Sequence, residues 1–174
     1  VVNGWSPYKR NGQYANSGIV VSVSEKDFAP FVTSHEAPLA GMYFQAHVEQ
    51  KAFEAGGATG VTAPAQRLQD FCKRRVSQSL PDCSYVPGVN SADLSSVLPH
   101  EVSRRLILGF KDFGRSLQGY LHPEAILVGV ESRTSSPVRI PRDRQTLEHP
   151  MLRKLFPCGE GAGYAGGIMS AAFD

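Results

Sequence analysis

The chain has 174 residues, a formal net charge of +2 and a hydrophobic fraction of 41%. This length is enough for a domain with a buried core. A near-neutral charge does not provide the strong positive field of proteins that bind nucleic acid or acidic membranes. No run approaches the roughly 18–20 uncharged apolar residues that a membrane span requires. The hydrophobic and charged fractions are ordinary for a soluble globular protein.

The three cysteines are Cys72, Cys83 and Cys158, an odd number without CxxC spacing. They cannot all pair within the chain, which favours a reducing compartment and a cytoplasmic location. The sequence starts at Val1 without an initiator Met, and it stops at Asp174 within a segment that can form a helix. We expect a piece of a longer protein, with a processed mature chain as the alternative.

Two apolar runs near the start predict strands. The first, Val1–Val2, leads into a turn at Asn3–Gly4, and the second is the β-branched run from Ile19 to Val23. Leu39 to Ala55 then predicts the clearest helix, with Pro38 suited to a first turn and Gly56–Gly57 to a C-cap. One predicted apolar side carries Leu39, Met42, Tyr43, Ala46 and Phe53, and an adjoining row carries Phe44, Val48, Ala52 and Ala55.

The middle of the chain predicts two further helices. Ala65 to Val76 forms one, with Leu68, Phe71 and Cys72 facing inward, and a loop over 78–90 follows it. The other starts at Pro99 and is broken only weakly by Gly109. Its apolar stripe consists of Val102, Leu106, Phe110, Phe113 and Leu117.

Ile126 to Val130 predicts a buried strand, and Val138 to Ile140 predicts a second one pairing back on it. Strands at both ends with helices between them predict an α+β fold rather than a regular βαβ series.

Five glycines fall between Gly159 and Gly167, after the apolar Leu155–Phe156 and before a small-residue run from Ile168 to Phe173. A strand, a Gly–Glu pair, a glycine loop and a helix start form an order suited to a phosphate-bearing cofactor. Glycine allows close backbone approach, and helix-start amides attract anions. Glu160 can accept hydrogen bonds from sugar or ribitol hydroxyls. The alternative is a glycine-rich turn that only permits tight packing.

A second candidate site is the segment with Arg133, Ser135, Ser136 and Arg139, where two arginines flank a run of hydroxyls. Arginine forks match carboxylates and phosphates. The alternative is a solvated hairpin turn with surface arginines.

Other motifs are weaker. His35–Glu36 and His100–Glu101 lack the second histidine of H-E-x-x-H, so no metal site is predicted. The basic clusters 73–75 and 142–144 are interpreted as solvated faces. The chain contains no G-x-G-x-x-G after a strand and no Walker A sequence, so a dinucleotide site would need its phosphate-binding βαβ unit outside this sequence.

The run from Cys158 to Ala172 closely resembles the C-terminal motif of bacterial FAD-dependent oxidoreductases that are often described as NAD(FAD)-utilising dehydrogenases. Further segments resemble the same family: Val2–Gly4 with Asn16–Ser17, Phe53–Gly57, Ala63–Arg67 and Glu131–Arg139. The resemblance implies residues 1–149 as an inserted, substrate-side α+β domain and residues 150–174 as the returning segment of an FAD-binding domain.

By this resemblance Glu160 faces the ribitol hydroxyls, and the backbone of Gly166, Gly167 and Ile168 approaches the pyrophosphate or the flavin. Gly159, Gly161 and Gly163 complete the predicted cofactor set. Arg133, Ser135, Ser136 and Arg139 form the predicted substrate set.

The implied cofactor is FAD, held by the full-length protein rather than by this chain alone, with NAD(P)H as a candidate electron donor. Missing parts of the FAD domain and a small-molecule substrate are the expected partners, without nucleic acid or membrane. No catalytic residue is assigned. Two other classes remain open: a non-catalytic binding domain with a structural glycine tail, and an RNA-associated protein.

Overall fold

The computed structural model describes residue 2, residue 4, and residues 7–32 and 36–174. Val1, the predicted turn residue Asn3 and the candidate His35 lie outside the described residues. The chain divides into two compact units. Unit 1 comprises Val1–Asp27 and Ala46–Ser132, and unit 2 comprises Phe28–Gln45 and Arg133–Asp174. The division into residues 1–149 and 150–174 stays a prediction.

Unit 1 contains a three-stranded sheet formed by β1 (Ala63–Arg67), β2 (Val89–Ser91) and β3 (Ile126–Val128). β1 lies in the centre, parallel to β2 and antiparallel to β3. Ala65 is aligned with Ser91 on one side and with Val128 on the other. The first four residues of β1 are buried, as expected for a central strand.

The predicted helix over Ala65–Val76 is wrong in its first part. The chain stays extended to Arg67, and helix α3 covers only Leu68–Cys72. This segment is a strand because β1 forms hydrogen-bond ladders along both of its edges. The two ladders outweigh the helix propensity of Ala65 and Gln66. The inward positions of Leu68 and Phe71 are confirmed, since both are buried. β2 also begins at Val89, within the predicted loop.

The clearest predicted helix is confirmed as α2 (Ala40–Ala55), preceded by a 3₁₀ turn at Ala37–Leu39 that contains Pro38. Gly57 follows its end with φ of 106°, a left-handed value suited to a helix C-cap. Its buried positions are Ala40, Gly41, Phe44, Val48 and Ala52, so the row beginning at Phe44 faces inward. Met42 and Phe53, from the other predicted side, are exposed.

Helix α5 (His100–Ser116) begins directly after Pro99, as predicted. Together with α3 and the short α4 (Leu94–Val97) it encloses an apolar cluster of buried side chains. These are Leu68, Phe71, Leu94, Ile107 and Phe110. The predicted stripe holds at Val102 and Phe110, whereas Phe113 and Leu117 are exposed near the end of the helix.

Two predicted strands are absent from the described residues. Ile19–Val23 is irregular and mostly exposed, because no neighbouring strand supplies hydrogen bonds. Val138–Ile140 is also irregular, since the Ile140 amide donates to the Ala162 carbonyl rather than to the sheet. The remaining helices are α1 (Glu25–Phe28), a 3₁₀ turn at Ala29–Phe31, and α6 (Ile168–Phe173). The small three-stranded sheet with its helices is consistent with the predicted α+β class.

Among the described residues, no helix is both long and apolar enough to cross a membrane.

Candidate functional site

The glycine loop, residues Gly159–Gly167, folds into successive turns just before α6. The Gly163 amide donates to the Glu160 carbonyl at 2.9 Å, and the Tyr164 amide donates to the Gly159 carbonyl at 3.0 Å. Gly159 and Gly163 have φ values of 70° and 81°, which side-chain-bearing residues rarely adopt. The turn itself therefore explains two of the five glycines.

Gly163 is also required by packing. A Cβ at this position would lie 2.8 Å from the Val138 carbonyl oxygen and 3.1 Å from the Arg139 Cα. Both neighbours are backbone atoms, which cannot move aside as a flexible side chain does. The structural alternative for the glycine-rich tail is thus correct at this residue.

Three other glycines have no such reason within the described residues. A Cβ at Gly161 or Gly166 would meet no atom within 4 Å, and one at Gly167 would meet only the Ser170 Oγ at 3.8 Å. None of the three has a φ in the left-handed region. At these positions the backbone faces open space, as it does at Gly109 in α5.

The arginine segment, defined as Arg133–Arg139, lies against the glycine loop within unit 2. Ser136 Oγ donates to the Gly161 carbonyl at 3.2 Å and to the Val138 carbonyl at 2.8 Å. The structure therefore brings Ser136 and Arg139 beside the loop, although they precede it by at least twenty residues. Arg133 and Ser135 are exposed.

A second contact set, missed from the sequence, joins Arg142 to the end of the chain. Its guanidinium donates to both carboxylate oxygens of Asp174, at 2.8 and 2.5 Å, and to the Pro157 carbonyl at 2.9 Å. The Gly159 amide donates to Asp174 Oδ2 at 2.9 Å. The Arg142–Asp174 pair therefore holds the start of the glycine loop against the end of α6.

The interpretation of Arg142 as a solvated surface arginine is wrong, because its side chain is only 13% exposed. Hydrogen bonds from Arg142, and then from the Gly159 amide, lower the pKa of the Asp174 carboxyl to about 2. The same hydrogen bond raises the pKa of Arg142. The Arg-Asp-Arg triplet was visible in the sequence, but Asp174, the residue to which Arg142 binds, lies 32 residues further along the chain.

Tyr164 organises the arginines beside the loop. The Arg142 guanidinium carbon lies 3.8 Å from the centre of its ring, and that of Arg139 lies 4.3 Å from it. Both distances are within the range of cation–π attraction. The Tyr164 hydroxyl donates to the Ile140 carbonyl at 2.9 Å, which fixes the ring.

The last helix is short and exposes apolar side chains. α6 has only six residues. A helix this short has a small macrodipole, so its start attracts anions only weakly. Ile168 is 89% exposed, and Met169 and Phe173 are also exposed. Glu160, near the start of the loop, is exposed.

Comparisons with known proteins identify a relative and a family. A protein of Clostridium beijerinckii, described as an uncharacterized protein, is 44% identical to this chain over 176 residues. The alignment covers all of this chain but 32% of the relative, so the chain spans about a third of that protein's length.

A family model described as FAD-dependent protein, C-terminal domain-like matches residues 1–134, which include all three strands and helix α5. The match ends inside the arginine segment and does not include the glycine loop. It covers more than half of the sequence, and the chain therefore belongs to the FAD-dependent protein, C-terminal domain-like family.

Proposed function

We propose that this chain is the C-terminal part of an FAD-dependent oxidoreductase and that its glycine loop contacts the cofactor. The observation that carries the proposal is the bare backbone at Gly161, Gly166 and Gly167, which the described chain does not require. Membership of an FAD-dependent family supplies the cofactor class.

The residues of the loop fit FAD in two respects. Glycine at 161, 166 and 167 permits backbone approach to a pyrophosphate or a flavin ring, because no Cβ intervenes. The exposed Glu160 carboxylate can accept hydrogen bonds from ribitol hydroxyls. Arg142 and Asp174 act as positioning residues, since they hold both sides of the loop without occupying its open positions.

FAD and the protein have different roles in this proposal. FAD, when bound, supplies hydride chemistry, and the protein supplies binding, orientation and electrostatics. Residues 1–149 form the proposed substrate-side domain, and residues 150–174 form the proposed FAD-domain segment. Arg133, Ser135, Ser136 and Arg139 are the proposed substrate-side residues, with NAD(P)H as the proposed electron donor.

Addition of FAD to the flavin-free, full-length gene product tests the proposal. Wild-type protein is expected to become yellow and to retain flavin through gel filtration. Gly166→Val is expected to fold normally, because a Cβ at this position meets no atom of the described chain within 4 Å, but to lose at least about 90% of its flavin through obstruction of close approach.

Gly109→Val is the matched control. Gly109 lies in α5 and also has open space around its Cβ position. This variant is expected to retain flavin. A full-length protein that binds no FAD would refute the cofactor assignment and favour the non-catalytic binding domain. Normal occupancy in folded Gly166→Val would refute the contact at this loop.

A further inference from the structure

Unit 2 contains a cavity of about 630 Å³ that the sequence analysis did not identify. This volume lies within the range of pockets that bind small organic molecules. Arginines make up half of the lining, and no carboxylate contributes to it. The lining residues are Arg139, Pro141, Arg142, Arg144, Leu147 and Tyr164.

The positive charge of this cavity is only partly neutralised. Arg142 is paired with Asp174 through two hydrogen bonds. Arg139 and Arg144 form no ion pair with any carboxylate in the part of the chain that the structure describes. Two cationic groups therefore remain available to a ligand.

Two of the arginines also crowd one aromatic ring. The guanidinium carbons of Arg139 and Arg142 lie 4.3 and 3.8 Å from the centre of the Tyr164 ring. Both cations lie within 4.3 Å of the same ring centre, so an anion near that ring would be attracted by both. The arrangement favours a negatively charged occupant.

The wall that carries Arg144 is a fixed turn. The Asp143 carboxylate accepts hydrogen bonds from the Gln145 and Thr146 amides, both at 2.8 Å. The Asp143 amide donates to the Glu148 carbonyl at 2.8 Å. These bonds hold the turn that carries Arg144 in place.

We propose that this cavity binds the phosphate group of a small organic molecule. Two unpaired arginines match the charge of a phosphate monoester, and their planar forks match its oxygen geometry. Pro141, Leu147 and the Tyr164 ring offer apolar surface for the organic part. The phosphate could belong to a separate substrate or to the pyrophosphate of FAD. The proposed site involves only residues 139–164 and 174 and does not depend on the proposed flavin contact.

Calorimetric titration of the full-length gene product, as isolated, with phenyl phosphate provides the test. Wild-type protein is expected to bind, and Arg139→Gln and Arg144→Gln are each expected to weaken binding by about tenfold or more, because each removes charge-assisted hydrogen bonds. Arg153→Gln is the control, since Arg153 is exposed and does not line the cavity. Arg144→Lys retains the charge without the fork and is expected to fall between wild type and Arg144→Gln.

Flavin content measured on the same samples distinguishes the two phosphate sources. Loss of phenyl phosphate binding with unchanged flavin content assigns the cavity to a separate organic phosphate. No phenyl phosphate binding by wild type, together with flavin loss in Arg139→Gln and Arg144→Gln but not in Arg153→Gln, assigns it to the FAD pyrophosphate. If neither phenyl phosphate binding nor flavin content depends on Arg139 and Arg144, the proposal is overturned.

Discussion

In unit 1, five buried side chains from α3, α4 and α5 form an apolar cluster. In residues 133–174 of unit 2, by contrast, the closest contacts are polar ones made by Arg142, Asp174, Tyr164 and Ser136. Apolar burial depends on filled volume and is insensitive to pH. The glycine loop depends instead on hydrogen-bond direction, on charge and on positions without a Cβ. The conformation of the loop is therefore expected to respond to pH and to substitutions that add a Cβ at its glycines.

The buried polar groups of unit 1 also serve its packing. Gln66 is completely buried, and its side chain donates to the Arg75 carbonyl at 2.8 Å and accepts from the Leu94 amide at 2.9 Å. Burial works to raise the pKa of Asp70, but hydrogen bonds from Ser77 and Arg75 outweigh it and lower that pKa. Gln66 and Asp70 are thus hydrogen-bonded within unit 1, which makes them structural rather than ligand-binding groups.

The largest expected effect comes from opening the apolar cluster. Phe71→Ala removes a fully buried ring that packs edge-to-face against Phe110 at 6.0 Å between centroids. We expect a loss of about 3–5 kcal/mol in the free energy of unfolding, measured by urea denaturation. Phe173→Ala is the control, because Phe173 is 82% exposed, and its expected change is within about 0.5 kcal/mol. Equal effects of the two substitutions would contradict the assignment of the core.

A smaller effect is expected when a side chain is added to the tight glycine of unit 2. Gly163→Val places a Cβ 2.8 Å from the Val138 carbonyl oxygen in a left-handed backbone conformation. We expect a local cost of about 1–3 kcal/mol, measured as faster hydrogen exchange of the Ile140 amide, which donates to Ala162. Gly161→Val, which meets no neighbouring atom, should leave that exchange unchanged. Similar exchange in both variants would show that the close approach is absent.

The smallest expected effect is the pH dependence of the Arg142–Asp174 pair in unit 2. Because folding lowers the pKa of Asp174 from 3.8 to about 2, its pairing with Arg142 stabilises the protein fully only above the ordinary carboxyl pKa. That contribution is lost as the pH falls toward about 2. An NMR titration of the Asp174 carboxyl should show a midpoint well below 3.8, and Arg142→Gln should move it upward. A wild-type midpoint at 3.8 would indicate that the pair does not form in solution.

Local patterns predicted the elements whose formation depends on local sequence. Helices α2 and α5 follow from their apolar spacing and from the adjacent Pro38 and Pro99, and α6 follows from the run after Gly167. β1 was mistaken for helix because its identity depends on β2 and β3, which lie far along the chain. Ile19–Val23 has strand-forming residues but no partner strand among the described residues.

The candidate site, too, was predictable only where its residues lie close together in sequence. The glycine loop was recognisable because glycines and a carboxylate occur together in sequence. The role of Arg142 was not recognisable, since it is defined by contacts with Asp174 and Pro157. The arginine cavity was not recognisable either, because it depends on Tyr164 approaching Arg139. Sequence spacing gives no information on such long-range side-chain pairings.

Hydrogen exchange of the full-length gene product, with and without FAD, is the most direct test of cofactor contact at the glycine loop. We expect FAD to slow exchange of the Gly161, Gly166, Gly167 and Ile168 amides, because the cofactor covers the open backbone. Exchange of the Leu94 amide, which is already bonded to buried Gln66 in unit 1, should stay unchanged as an internal reference. FAD binding that leaves exchange throughout the glycine loop unaltered would show that the cofactor does not contact this loop.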